Sequence, residues 1–581
     1  MAQARPNPWL VLMVLTTGFF MILLDTTIVN VAIPAMSAGL STTLDQILWV
    51  LNAYILVYAV LLITAGRLGD LFGQRNLFAL GLFVFTVASA LCGLSQTSTE
   101  LILARILQGV GGALLTPQTL AIIASLFPPE RRGAAFGIWG AVAGLATITG
   151  PTLGGAIITY IDWRWIFFIN VPIGIGALIT TFAIIPDLRP GRHHGWDIVG
   201  VILATSGLFA VVFGLIEGQR YDWGQIGSYA ITIPEVIGAG GFLVVLFVVW
   251  ERFQVEPLVP LSLFEDRNFA VANWIAAAIS FGMLSLFLPI TIYLQSVRGF
   301  SAFQAGLTLA PASLTSMLTA PFAGRLADRI GGKYILMAGI SVFAIGTAGL
   351  TYVAGPDSTW INFLVPAIIA GAGMGMTFAP MTTVAMRNIS PRMAGAASGV
   401  LNTTRQLGAA IGSAVVGAIL QNQLGTALRD QAVAQSSSLP ATFRERFIAA
   451  FSSVASNGFE IGTGQNGATL PSGLPPAAAQ QISLLAHDVF TIAFIDAIKG
   501  TLIVPIAFLV FTALTTVLIR GMKQPPARQA AEAECGQRRA RLWHPEGRQR
   551  SDPHSRRVTP RRHRAPGEPR NDIEVGLEGR V

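Results

Sequence analysis

Fourteen runs of about twenty apolar residues fill most of this chain, and about twenty is the length a helix needs to cross a bilayer. They lie near 9–34, 46–66, 77–95, 100–125, 135–159, 165–185, 197–216, 231–250, 268–294, 303–323, 334–354, 360–385, 395–420 and 494–519. Only 12% of the residues are charged, against roughly a quarter in soluble domains. Lipid is therefore the expected solvent for most of the surface. Hydrocarbon offers backbone groups no hydrogen bonds, so the runs have to be helices. An all-α membrane protein is expected. The first run follows Arg5 as a secretory leader would, but it is too long, contains Asp25 and precedes thirteen more spans.

The charges sort by loop. Even-numbered loops hold Arg67, Arg75, Arg131, Arg132, Arg189, Arg192, Arg252, Arg267, Arg325, Arg329, Lys333, Arg387 and Arg392, whereas the short odd-numbered loops hold Arg164, Arg220 and Arg298. Basic loops stay on the cytoplasmic side, so both termini are expected there. Residues 520–581 carry 15 Lys/Arg against 8 Asp/Glu. The net charge of +8 thus belongs to the Arg-, Pro- and Gly-rich tail, 521–581, expected to be disordered beside anionic lipid. It gives no reason to expect a nucleic-acid partner. Two cysteines, Cys92 and Cys535, and six histidines, three of them in the tail, give no metal or cofactor site. A long outer loop is expected at 421–493, with an amphipathic helix at 442–454.

An internal repeat organises the rest. Gly66-Arg67-Leu68-Gly69-Asp70-Leu71-Phe72-Gly73-Gln74-Arg75 recurs 258 residues later as Gly324-Arg325-Leu326-Ala327-Asp328-Arg329-Ile330-Gly331-Gly332-Lys333. Pro129-Glu130-Arg131-Arg132-Gly133-Ala134-Ala135 recurs 262 residues later as Pro391-Arg392-Met393-Ala394-Gly395-Ala396-Ala397. Two matches at nearly one offset divide the chain into a six-helix half (1–190), two inserted helices (191–265) and a second six-helix half (266–520). Duplicated halves enclosing a midplane site are the architecture of secondary transporters.

Asp25 lies midway along the first span, and Arg105 near the outer end of the fourth, in Arg105-Ile106-Leu107-Gln108-Gly109-Val110-Gly111-Gly112. Intramembrane charges are costly and mark function by default. Their repeat positions fall near Met283 and Ala367, so neither recurs, and the proton pathway is expected in the first half. The repeated loops place Asp70 and Asp328 where each can meet a basic side chain, Arg131 and Arg132 above all, or a helix N-terminus. Asp70, Arg75, Arg131, Arg132, Asp328, Arg329 and Lys333 are the expected cytoplasmic gate. The fifth span carries Gly140, Gly144, Gly150, Pro151, Gly154 and Gly155, small residues at spacings of four for close helix contact and a proline that bends the helix.

Leu24-Asp25-x-Thr27-Ile28-Val29-Asn30-Val31-Ala32-x-Pro34, the G-R-L-x-D-x-x-G loop, R-x-x-Q-G-x-G and G-P-x-x-G-G together resemble the major facilitator superfamily. The Trp163–Pro172 run and the fourteen spans are similar to its fourteen-helix drug:proton antiporters. That resemblance covers about 1–520 and implies proton-driven export of lipophilic, cationic compounds across the cell membrane by a monomeric transport unit, not an enzyme. Asp25 is the expected proton site, Arg105 its electrostatic partner, and Asn30 and Gln108 belong to the same motifs. Export of one natural product or lipid is the alternative, and solute symport a weaker one that the G-P-x-x-G-G helix opposes.

Overall fold

Every expected span is a helix in the computed structural model, which describes residues 7–42, 44–187, 197–227, 229–436, 444–445, 447–449, 451 and 476–520. The first half contains α1 (Pro8–Gly39), α2 (Leu44–Phe72), α3 (Gln74–Leu94), α4 (Ser98–Leu126), α5 (Arg132–Tyr160) and α6 (Trp165–Ile184). Next come α7 (Ile198–Glu217) and α8 (Ile233–Glu251). The second half contains α9 (Arg267–Ile292), α10 (Ala302–Ile330), α11 (Gly332–Val353), α12 (Trp360–Met386), α13 (Ala394–Gln435) and α14 (Pro476–Thr515). Helix starts are written locally. Asn7 accepts from the Trp9 N–H, Thr97 caps α4, and Thr232/Glu235 and Ser301/Gln304 form reciprocal capping boxes on α8 and α10.

The pairing of helices repeats with the sequence. In the first half α3 packs on α4, α2 on α4, α1 on α5, and α6 on both α3 and α1. Adding eight to each label gives the packing of the second half. The halves join by exchange, α5 against α10 and α2 against α13, while α7 and α8 pack on each other and α7 leans on α2. Among the described residues thirteen helices are long and apolar enough to cross a membrane; α10 is not among them. Its small and polar positions serve protein contacts instead: Ser313 lies against Gly144 of α5, and Ala312 and Thr319 against Gly371 and Gly375 of α12.

One expectation fails. The outer loop does not begin at 421 or end at 493, because α13 runs unbroken to Gln435 and α14 starts at Pro476. The 42 residues of α13 rise about 63 Å at 1.5 Å each, twice a bilayer core of about 30 Å. The two helices pack on each other, and both bury apolar stripes: Leu420, Leu424, Leu428 and Ala432, four residues apart, on α13, and Ile482, Ala486, Val489, Ala493 and Ala497 on α14. The Ala- and Gln-rich composition of this hairpin resembles a loop, yet these are good helix formers. Most of the expected 442–454 helix and the whole basic tail lie outside the described residues.

Close approach between the halves depends on glycine at two matched points. A Cβ on Gly66 would run into the Gly395 carbonyl, and one on Gly324 into the Gly133 carbonyl. Gly241 on α8 has open space beside it. Gly66→Leu and Gly324→Leu should each cost about 1–3 kcal/mol through overpacking, whereas Gly241→Leu should be neutral. Thermal unfolding of the purified variants measures the difference, and equal midpoints for all three would refute the close-contact account.

Candidate functional site

Asp25 and Arg105 meet deep inside the first half. One carboxylate oxygen of Asp25 lies 2.5 Å from Arg105 Nη1, and the other accepts from Gln108 Nε2 at 2.9 Å. Arg105 Nη1 also donates to Gln108 Oε1 at 2.7 Å, and its Nε to the Val50 carbonyl at 3.1 Å. Gln108 Nε2 reaches Ser89 Oγ at 3.3 Å, and Ser89 accepts from Asn170 Nδ2 at 3.1 Å while donating to the Phe167 carbonyl at 3.0 Å. Asp25, Ser89, Gln108 and Asn170 have no exposed surface. The guanidinium carbon lies 4.2 Å from the Tyr54 ring centroid, a cation–π contact.

Five helices contribute: α1 (Asp25), α2 (Val50, Tyr54), α3 (Ser89), α4 (Arg105, Gln108) and α6 (Phe167, Asn170). A buried charge pair is tolerable when its remaining donors and acceptors find partners, and here Gln108 and the Val50 carbonyl supply them while Ser89 steadies Gln108; Asn170 Oδ1 has no partner among the described residues. Of the four residues expected together, three are. Asn30 is not: it is exposed and donates back to the Thr26 carbonyl of its own helix at 2.8 Å. Ser89 and Asn170 were missing from the expected set. Asn170 stands inside the Trp163–Pro172 run, which offered a signal, whereas a lone serine in an apolar span offers none.

The residues just after Asp25 on α1 carry the connection onward. Thr27 and Ile28 pack where Gly150 and Gly154 of α5 leave room, and Thr27 Oγ1 donates to the Ala146 carbonyl at 3.3 Å. Gly144 faces α10, where an added Cβ would lie 2.8 Å from the Ser313 carbonyl and 3.0 Å from Met317 Cβ. The glycines of α5 therefore serve two neighbours, one in each half. Pro151 sits within a continuous α5, beside Gly306 of α10, while Gly155 just reaches Phe303. A cavity of about 130 Å³ lies there, lined by Ile148, Pro151, Phe287, Phe303 and Leu307 among others. Drug-sized ligands occupy about 300–1,000 Å³, so this space would have to widen. A larger one of about 380 Å³, lined by Asn422, Gln423, Asp430 and Asp496, involves α13 and α14 and none of the charge network.

The carboxylates of the expected gate bind helix N-termini. Asp70 accepts from the Gly395 and Ala396 N–H groups at 2.9 and 2.8 Å, and Asp328 from those of Gly133 and Ala134 at 2.7 and 2.9 Å. The first turn of a helix has free N–H groups and a positive dipole end, which suit a carboxylate. Of the two expected partners the helix N-terminus is the one found, and among the described residues neither carboxylate pairs with Arg131 or Arg132. Arg132 Nη1 donates instead to the Met386 and Arg387 carbonyls at 3.0 and 3.2 Å, at the C-terminal end of α12. Arg75 pairs with Asp187 at 3.3 Å and Lys333 donates to the Val517 carbonyl at 2.8 Å. Arg131 and Arg329 are exposed and, among the described residues, reach neither carboxylate.

The family profile described as the Major Facilitator Superfamily matches residues 15–413. The chain belongs to that superfamily. Its members are transporters, so this is a multi-pass membrane transporter and not an enzyme. It is 42% identical to an uncharacterised MFS-type transporter of Mycobacterium tuberculosis over 77% of this chain and 78% of that one. It is 32% identical to the tetracenomycin C resistance and export protein of Streptomyces glaucescens (74% and 78%). The multidrug resistance protein Stp of M. tuberculosis is 34% identical (71% and 75%). Among solved structures, the human organic anion transporter MFSD10 superposes with a TM-score of 0.52 at 13% identity, covering 87% of this chain and 100% of that one. At that identity the likeness concerns the fold alone.

Arg105→Gln removes one member of a fully buried pair and should cost about 3–5 kcal/mol. Asp25→Asn combined with Arg105→Gln should cost clearly less than the sum of the single changes. A double-mutant cycle on unfolding midpoints measures the coupling, and additive effects would mean that the two charges do not depend on each other.

Proposed function

We propose that this chain is a proton-coupled antiporter that exports lipophilic small molecules across the cell membrane, with Asp25 as the proton carrier. The observation that carries the reading is the closed Asp25–Arg105–Gln108 network and its packing link, through α1 and α5, to α10 of the other half. The resistance and export roles printed in the names of two relatives support the export direction. The basic even-numbered loops put the gate end and both termini in the cytoplasm. The transport unit in this reading is a single chain.

As the network stands, Asp25 is committed to a guanidinium. It can accept a proton only when Arg105 is satisfied elsewhere, and Arg105 already holds the Val50 carbonyl and Gln108. Protonation removes the counter-charge that draws α1 toward α4. The resulting shift of α1 reaches Thr27 and Ile28, which lie in the glycine notches of α5. Because α5 packs equally against α10, a change on the α1 side disturbs the contact between the halves. Such a chain of packed elements is a physical route for coupling, and coupling energies measured by mutation are its proof.

The gate contacts fit the same cycle. Both carboxylate-to-helix contacts and the Arg132 contacts cross between halves at the end bearing the repeated loops. We read the conformation as closed to the cytoplasm. Asp25→Asn should abolish proton release from energised vesicles on addition of an exported compound, and should reduce its efflux by at least tenfold. Release and efflux at the unaltered rate would overturn the assignment of Asp25.

A further inference from the structure

The second half does contain a charge inside a span, half-buried and with its Nε shielded from solvent. Arg405 stands eleven residues into α13, about 16 Å along the helix from the gate contact at its start. Its guanidinium carbon lies 4.9 Å from the Phe378 ring of α12 and 5.8 Å from the Trp139 ring of α5. Trp139 in turn stacks on Phe19 of α1 with centroids 4.1 Å apart. Arg405 thus touches aromatic groups from both halves, on the helices that join them.

What it lacks is an anion. An arginine in a protein is always charged, and placing it away from water requires a counter-charge or hydrogen-bond acceptors. Among the described residues no carboxylate pairs with Arg405, and its Nε has no acceptor. Aromatic faces offset part of the lost hydration but accept no hydrogen bonds in the ring plane. Trp139 Nε1, beside it, is also buried without an acceptor. The nearby phenol of Tyr58 has its hydroxyl engaged with Thr116 Oγ1 at 3.2 Å. Asp25, the carboxylate inside the first half, is already held by Arg105. The repeat counterpart of Arg405 is Ala143, so its charge has no symmetry-related twin.

Two unsatisfied N–H donors, one of them cationic, among flat aromatic rings make a complement for an oxyanion carried on an aromatic body. A guanidinium binds carboxylate, sulfonate or phosphonate oxygens in a bidentate fork. We propose that Arg405 and the Trp139 indole N–H form an anion-accepting subsite between the halves, and that the exported compounds are aromatic organic acids. This rests on the export reading and replaces its expectation of cationic substrates.

The test uses two dyes of one ring system and opposite charge, fluorescein as the anion and rhodamine 6G as the cation. Each is titrated by fluorescence anisotropy against the full chain in nanodiscs of phosphatidylcholine. Wild type should bind fluorescein, Arg405→Gln should weaken that binding at least tenfold without weakening rhodamine 6G, and Arg405→Lys should recover part of the loss. Trp139→Phe, which keeps a ring and removes the N–H, should lose a few-fold. The proposal is overturned if wild type binds only rhodamine 6G. It is also overturned if Arg405→Gln or Arg405→Lys melts at a lower temperature yet binds fluorescein as wild type does, which would make the residue a structural contact. Displacement of fluorescein by phosphatidylglycerol in the disc would assign the subsite to a lipid headgroup and overturn it as well. Efflux from energised vesicles separates the two readings. Export of rhodamine 6G without fluorescein binding leaves export standing and the subsite refuted, whereas Arg405-dependent binding with neither dye moved leaves the subsite standing and export refuted.

Discussion

The ion pair between Asp25 and Arg105 is the interaction on which the first half depends, because it is the point where five helices share one set of hydrogen bonds. Lipid tails are as apolar as leucine, so apolar packing alone gives membrane helices little reason to choose one another. A buried polar network supplies that choice, and its cost makes it intolerant of partial loss. The same property suits it to coupling. In the proposed cycle a proton on Asp25 would alter the balance of the whole cluster, and α1, seated on the glycine face of α5, is placed to carry the change.

The gate shows how a repeat can encode a contact. The two repeated motifs, G-R-L-x-D and P-x-x-x-G-A-A, are opposite sides of one interaction, with the Asp of each half bound to the helix start of the other. Four hydrogen bonds join the halves at this end, and glycine at the same turn lets the helices touch. A carboxylate at a helix N-terminus needs no lysine or arginine partner, so the basic side chains nearby are free for other work. Arg132 uses its guanidinium on the last carbonyls of α12.

Much of this was legible in the residues. Spans and halves follow from hydropathy and the offset of the repeat, Asp25 and Arg105 from the rarity of charge in lipid, and Gln108 from the motif it shares with Arg105. Asn30 misled because it shares a motif with Asp25, yet five positions along a helix turn it to a different face. Ser89 was invisible, since nothing in a sequence reports which hydroxyl of an apolar helix points at a distant glutamine. The α13–α14 hairpin was hidden by composition, and its packing emerges only when both helices are seen together. Arg405 was legible and overlooked: an arginine midway along the 395–420 span is as rare as one in the fourth, and it removes the supposed confinement of core charge to the first half.

The central claim is that Asp25 exchanges a proton inside the buried network. Infrared difference spectra of the purified chain, recorded across a pH step, report carboxyl protonation without requiring a known substrate. A protonated-carboxyl band should appear in the wild type, remain in Asp70→Asn and Asp328→Asn, and vanish in Asp25→Asn. A band that is unchanged in Asp25→Asn would place the exchanging proton elsewhere and contradict the account.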